Sequence, residues 1–280
     1  MSVDIAHLRS WIGRTETLED TVGSFPMSAL SATLDRDDPQ PSPGDVLPEL
    51  WHWLYFLPRA RQSEIGEDGH PRRGGFLPPV PLPRRMWAGG RLAFIAPLRL
   101  GEQITRTSEI VDVTLKEGRS GNLVFVLVRH MVSNADRLAL TEEHDIVYRD
   151  PPAPGEASPA ARMAPASPAW RRDVTADDVL LFRYSALTFN GHRIHYDRRY
   201  VTEVEGYPGL IVHGPLLATL MADLFRRELG RPMTTFKFRA LRPVFDVTPF
   251  SVCGNPGEDG ASLWIQDREG RLCMEAEATF

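Results

Sequence analysis

Cysteine is scarce: Cys253 and Cys273 are the only two in 280 residues. Two thiols cannot build a disulfide framework in a chain this long, and both are expected on C-terminal strands as small buried hydrophobes. Net positive charge is also missing. A formal charge of -5 gives no support for general nucleic-acid binding, although a local basic cluster suffices to hold a phosphate. No apolar run reaches membrane-spanning length, and the opening Met1-Ser-Val-Asp-Ile5 has no basic region ahead of an apolar one. A cytoplasmic protein without membrane contact is expected. Zinc-type ligand spacings, a glycine-rich dinucleotide fingerprint after a strand and a Gly-x-Ser-x-Gly elbow are absent as well. Neither a metal nor a redox cofactor is therefore expected.

What is present is a globular composition, 42% hydrophobic and 25% charged, in a chain long enough for two domains. A short amphipathic helix is expected over Ile5–Trp11 and a longer one over Thr15–Leu34, broken near Gly23. Asp35–Pro48 reads as a loop and the dense aromatic run Glu49–Leu57 as a strand. From Pro58 to Gly90 the chain carries Arg, Gly and Pro without periodicity, a pattern typical of a functional segment or lid. Strands follow at Arg91–Ala96, Gln103–Lys116, Asn122–Asn134 and Leu138–Tyr148, with a hairpin turn over Glu117–Gly121. Pro151–Ala169 is a Pro/Ala/Ser-rich linker.

Beyond the linker the pattern partly repeats. Leu92–Glu102 resembles Phe236–Asp246, each a strand ending in Pro and an apolar pair. Strands over Phe250–Gly254, Ala261–Arg268 and Leu272–Phe280 complete the second half, with a turn at Asp267–Gly270. Strands after a helix in both halves indicate an α+β duplication, with domains over 1–150 and 170–280.

The chemistry concentrates between Tyr184 and Leu229. Ser185–His195 threads polar residues through apolar ones with no strict period, as suits a loop or short helix lining a cleft. From Pro215, an apolar stripe of Leu216, Leu217, Leu220, Met221 and Leu224 marks a helix that stops at Gly230. Its first N–H groups have no partner within the helix and point back towards the loop, a place for developing negative charge.

These residues resemble the MaoC-like (R)-specific enoyl-CoA hydratases and hydroxyacyl-thioester dehydratases. The loop Thr188–His195, followed about twenty residues later by Val212-His-Gly-Pro-Leu216, is similar to the family's Ser-Gly-Asp-x-Asn-Pro-x-His and its helix start. The resemblance implies a double hot-dog fold, two antiparallel sheets each wrapping a long helix, that acts as a pseudo-dimer or homodimer. It implies an acyl-CoA substrate with no cofactor beyond the CoA itself. Asn190 stands where the family has its catalytic Asp, while His192 and Arg193 replace Asn-Pro. This form is most similar to the branch that hydrates mesaconyl-C4-CoA or itaconyl-CoA. Nothing in residues 1–150 resembles the motif, so one active site per chain is expected.

In that reading His195 is the base that activates water, since an imidazole titrates at about pH 6.5. The Gly214 N–H receives the thioester oxygen. Asn190 cannot ionise and is left to orient water, so either His195 handles the proton alone or another carboxylate assists, Asp197 being the nearest in sequence. His192 either takes part or supports the loop, and His213 either caps its helix or packs. Arg193, with Arg183 second, either binds a substrate carboxylate or pairs with a loop acid such as Asp197. Arg84, Arg85 and Trp87 either meet the CoA phosphates and adenine or belong to a solvated loop. A thioesterase, with Asp223 or Glu228 as its acid, and a non-catalytic acyl-thioester binder are the alternatives.

Overall fold

The computed structural model describes residues 3–118, 121–150 and 160–280. Residues 151–159 of the expected linker over 151–169, and the tip of the 117–121 turn at Arg119 and Ser120, therefore lie outside the described residues.

Ten strands form one antiparallel sheet: β1 (Thr15–Thr21), β2 (Arg84–Phe94), β3 (Gln103–Gly118), β4 (Gly121–Asn134), β5 (Leu138–Arg149), β6 (Trp170–Val174), β7 (Thr235–Ala240), β8 (Phe250–Pro256), β9 (Gly260–Gln266) and β10 (Leu272–Thr279). Their order is β1-β3-β4-β5-β2-β7-β10-β9-β8-β6. Reading inwards from each edge, the second five strands repeat the first five, so the duplication suggested by sequence is also topological. The halves join where β2 pairs with β7, from Gly89↔Arg239 to Ala93↔Thr235. Glycine is required at that seam. A Cβ on Gly89 would stand 2.6 Å from the Phe238 carbonyl, and one on Gly90 would stand 2.9 Å from the Phe238 ring.

Alternation explains the long strands. On β4, Val124, Val126, Val128, His130 and Val132 all point inwards, as a two-residue period demands. Cys253 and Cys273 are buried on β8 and β10, as expected.

Four α-helices accompany the sheet: α1 (Ile5–Arg9), α2 (Ser24–Thr33), α3 (Asp178–Leu187) and α4 (Gly214–Leu229). Pro215 opens α4 and Gly230, at φ 62°, closes it. Every residue from Leu216 to Phe225 is buried, because β6, β8, β9 and β10 wrap one side of α4 and the loops of the first half cover the rest. Asp223, fully buried on this helix, is held by Arg36 (2.6 Å), Arg227 (2.7 Å), Arg172 (3.1 Å) and Arg226 (3.5 Å).

The first half differs from expectation in three places. Thr15–Thr21 is an edge strand paired with β3, and only Ser24–Thr33 is helical. Glu49–Leu57 contains a 3-10 turn at Trp51–Leu54, and the buried Trp51, Leu54, Tyr55 and Phe56 join the same core cluster as α4. Strand β2 begins at Arg84, seven residues before the expected start. Among the described residues, then, only the second half contains a long wrapped helix.

Candidate active site

Helix α3 is capped by Asp177, whose Oδ1 accepts the Leu180 N–H at 2.8 Å, and it ends at Thr188. Phe189 follows with φ 48°, which turns the chain sharply. Local hydrogen bonds then shape the loop. Asn190 N–H donates to Ser185 O (2.8 Å), and Asn190 Oδ1 accepts the His192 N–H (3.0 Å). One 3-10 turn, Arg193–His195, delivers the histidine. With its carbonyl committed to the backbone, Asn190 presents its amide NH2 as its remaining polar group.

His195 is buried, and its Nδ1 donates to the Ile211 carbonyl at 2.7 Å. That bond fixes the tautomer and leaves Nε2 as a lone-pair acceptor. Burial lowers the imidazole to about 4, against the backbone hydrogen bond to Ile211, which raises it, so the ring is neutral at physiological pH. Its face stacks on His213 at 3.8 Å between centroids. His213 is the N-cap residue of α4, which places His195 beside the helix N-terminus. The His213 side chain makes no cap bond. It packs instead, fully buried, with Nε2 2.8 Å from Ser185 Oγ and a pKa pushed well down by burial. At Gly214 the space a Cβ would enter is open, and α4's first internal bond runs from Leu217 N–H to His213 O. The N–H groups of Gly214 and Leu216 are thus outside the helix ladder.

The first half reaches into this site. Arg193 N–H donates to Asp68 O at 2.9 Å, and Gly69 lies so close to Gly191 that a Cβ there would overlap the Gly191 carbonyl. Gly69 also has φ +88°, which side-chain-bearing residues rarely adopt. This contact brings His70 against His192 (4.0 Å between centroids), and His192 stands edge-on to His195 at 5.4 Å. The result is a row of four imidazoles, His70–His192–His195–His213, with Asp68 at one end and Ser185 at the other. Asp68 Oδ2 pairs with His70 Nδ1 at 3.1 Å, and Oδ1 accepts the His70 N–H at 3.0 Å. Burial works to raise the Asp68 carboxyl, but these bonds outweigh it and hold the group below the usual carboxylate range. Among the described residues, Asp68, His70 and His192 are the group of three whose ligand atoms, within 4.8 Å of one another, have a spacing suited to a metal ion. Asp68 and His70 were not foreseen. Their signal was the turn Gly66–His70, inside the aperiodic stretch marked as functional.

The remaining expected residues divide. Arg193 is committed to the loop itself: Nε and Nη2 bind Asp197 Oδ2 (2.9 and 2.7 Å), and Nη1 binds Glu67 O (3.0 Å). Its guanidinium also lies over Tyr200 at 4.2 Å. Asp197, with Oδ1 accepting the Tyr200 N–H, is likewise a brace rather than an assisting acid. Arg84 bridges to Glu205 (3.0 Å to O, 3.3 Å to Oε2) and tethers β2 to the segment after the motif. Arg85 lies near His70 and His192, where its charge opposes their protonation, and it stands opposite Tyr148 in the β2–β5 pairing. Trp87 is not a free platform for adenine. Its Nε1 donates to Gly89 O (2.8 Å), and its ring packs on His144, Trp53 and Phe238. Arg183 is exposed on α3 and lines a groove with Arg172, Asp173 and Val174, away from the histidine row.

A second polar cluster lies on the inner face of the first half. Buried Glu142 accepts from Trp53 Nε1 (2.9 Å) and pairs with His52 (2.9 Å) and His144 (2.5 Å), and His130 continues the chain to Ser108.

Comparison with known proteins agrees with this architecture. The family model for hydroxyacyl-thioester dehydratase type 2 matches residues 50–246. Mesaconyl-C(4)-CoA hydratase of Chloroflexus aurantiacus is 48% identical over 267 residues, covering 95% of each chain. The mitochondrial hydroxyacyl-thioester dehydratase type 2 of Schizosaccharomyces pombe is 28% identical, over 89% of this chain and 91% of the relative. A MaoC-like dehydratase from Phytophthora capsici superposes with a TM-score of 0.69 at 11% identity, over 99% of this chain and 98% of that one. A double-hotdog protein from Mycobacterium tuberculosis does so at 0.61 and 13%, over 95% of each chain. The shared sheet and helix are thus the double hot dog, and by the match over most of its length the chain belongs to the hydroxyacyl-thioester dehydratase type 2 family.

Proposed function

We propose that this protein adds water reversibly across the α,β double bond of a small dicarboxylic enoyl-CoA, mesaconyl-C4-CoA being the first choice. The observation that carries the reading is His195. Its Nδ1 is tied to a carbonyl, its Nε2 is free to accept a proton, and it stands beside the N-terminus of α4. In the hydration direction Nε2 takes a proton from water as the oxygen bonds to the β-carbon. The displaced π electrons collect on the thioester oxygen, and the N–H groups that open α4 stabilise that oxyanion. The imidazolium then returns its proton to the α-carbon as the thioester carbonyl re-forms. Asn190 steadies the reacting water through its amide.

A dicarboxylic substrate is supported by the likeness to mesaconyl-C(4)-CoA hydratase and by Arg85. The β-carbon of a C4-linked mesaconyl thioester carries a carboxylate. Arg85, near His70 and His192 and without a salt bridge among the described residues, is the cation to receive it. Arg193 is already bound to Asp197, which favours Arg85 over it for that role. Among the described residues no helix is long and apolar enough to cross a membrane, and location in the cell stays an expectation of a cytoplasmic site.

The purified protein should consume the enoyl absorbance of mesaconyl-C4-CoA without releasing thiol. Thiol release would identify a thioesterase, and inertness towards mesaconyl-C4-, itaconyl- and crotonyl-CoA would identify a non-catalytic binder. His195→Ala should lower turnover by about 10²–10⁴-fold, the usual contribution of a positioned base. Arg85→Gln should cost mesaconyl-C4-CoA about 1.5–3 kcal/mol of transition-state binding, the worth of a charge-assisted hydrogen bond, and crotonyl-CoA little.

A further inference from the structure

A hydration site gains from two acceptors for the attacking water, one for each O–H. The second-half loop supplies one, Nε2 of His195, and places a residue that cannot ionise, Asn190, at the position of the family's acid. The other acceptor comes from the first half. His70 rests on a loop locked to the motif by the Arg193–Asp68 backbone bond and by the tight Gly69–Gly191 approach. Its Nδ1 is committed to the ionised Asp68 carboxylate, as His195 Nδ1 is committed to the Ile211 carbonyl. Both rings are therefore held in the same tautomer, with Nε2 bearing the lone pair. The His70 side chain keeps about 20% of its surface exposed, so it is not sealed within the core. His70 is also near enough to His195 that a proton on one ring would oppose a proton on the other.

We propose that His70 is the second water-holding catalytic residue of this site and that Asp68 is its positioning residue. The inference rests on the hydratase reading above. One O–H of the water is broken by His195 Nε2 as the C–O bond forms at the β-carbon. The other O–H is held by His70 Nε2 throughout and remains in the product hydroxyl. The proton on His195 then forms the C–H bond at the α-carbon, so the enzyme ends in its starting protonation state. Asp68 gains and loses no proton. It keeps the His70 proton on Nδ1, the task that a buried Asp performs for the histidine of a catalytic triad.

The test compares the folded full-length wild type with His70→Ala, His70→Gln, Asp68→Asn and the Asp68→Asn/His70→Ala double variant on mesaconyl-C4-CoA. His70→Ala should lose about 10²-fold or more in kcat with little change in KM, and added imidazole should restore part of the loss. His70→Gln, whose amide oxygen accepts a water O–H, should retain more activity than His70→Ala. Asp68→Asn should reduce kcat when His70 is present and have no further effect when it is absent, because residues that act as a unit are non-additive. Folded His70→Ala with kcat within about threefold of wild type would overturn the proposal. So would a loss that imidazole leaves untouched and that appears equally in kcat and KM, the mark of a loop prop. A stoichiometric metal removed together with activity by chelator would overturn it too, by making Asp68, His70 and His192 ligands. An inactive wild type with all three enoyl-CoA probes would instead sink the hydratase reading, which separates the two failures.

Discussion

At the scale of single residues the loop Thr188–His195 divides between chemistry and bracing. Arg193 braces: both of its bonds to Asp197 and its bond to the Glu67 carbonyl hold the turn that carries His195. Arg193→Gln should therefore lower turnover of mesaconyl-C4-CoA and crotonyl-CoA by the same factor. A loss confined to the dicarboxylic substrate, read from kcat/KM on both, would return the carboxylate to Arg193. The part of this site that a sequence can reveal is the part contiguous in it. His195, Asn190 and the His213-Gly214 helix start lie within one stretch, and their spacing is readable. Asp68 and His70 lie more than a hundred residues away and arrive only through the Gly69–Gly191 contact, which no local pattern encodes. Arg193 was ambiguous for a different reason. An Arg four residues before an Asp is as good a salt bridge as it is a ligand site, and only geometry chooses between them.

At the scale of elements, α4 was the most legible feature, because Pro215, the apolar stripe and Gly230 all mark the same helix. The edge strand β1 was not. Its Thr-Glu-Thr-Leu-Glu-Asp-Thr sequence alternates only between exposed and half-buried, so no apolar period betrays it. The aromatic run Glu49–Leu57 misled by composition, since large buried rings fill a core as well from an irregular segment as from a strand. Helix α4 also discriminates between reactions. A thioesterase reading needs an acid on this helix, yet Asp223 is enclosed by four arginines. Asp223→Ala should cost about 3–5 kcal/mol of stability, the range for removing one partner of a buried ion pair, while the molecules that remain folded keep their kcat/KM. Chemical denaturation and a steady-state assay on the same preparation check both statements. Loss of activity at unchanged stability would make Asp223 a catalytic acid after all.

At the scale of the whole molecule, joining the halves into one sheet places several imidazoles where burial disfavours their charged form, and this sets how stability depends on pH. Burial lowers the pKa of His70, His130, His192, His195 and His213, so the folded protein holds them neutral. In the unfolded chain the same rings protonate near pH 6.5. Below that value the unfolded state binds more protons than the folded state, so stability falls as pH drops. For His195, lowered from 6.5 to about 4, the loss is already about 2 kcal/mol at pH 5. Two hydrogen-bonded carboxylates, one buried and one half-exposed, act in a lower window. Glu142 and Asp68 are held below the usual carboxylate range against the opposing effect of burial, Glu142 chiefly by His144 and His52 and Asp68 by His70. Their contribution is complete above about pH 5 and is lost progressively below it. Acidification should therefore lower Tm in two stages, first between about pH 6.5 and 4 as the imidazoles charge and then more steeply as the carboxylates protonate. Calorimetry across that range at constant ionic strength measures it. A Tm equal at pH 7.5 and pH 5 would mean that the histidine row protonates as readily in the folded protein as in the unfolded chain, and the neutral base assigned to His195 would then lose its physical basis.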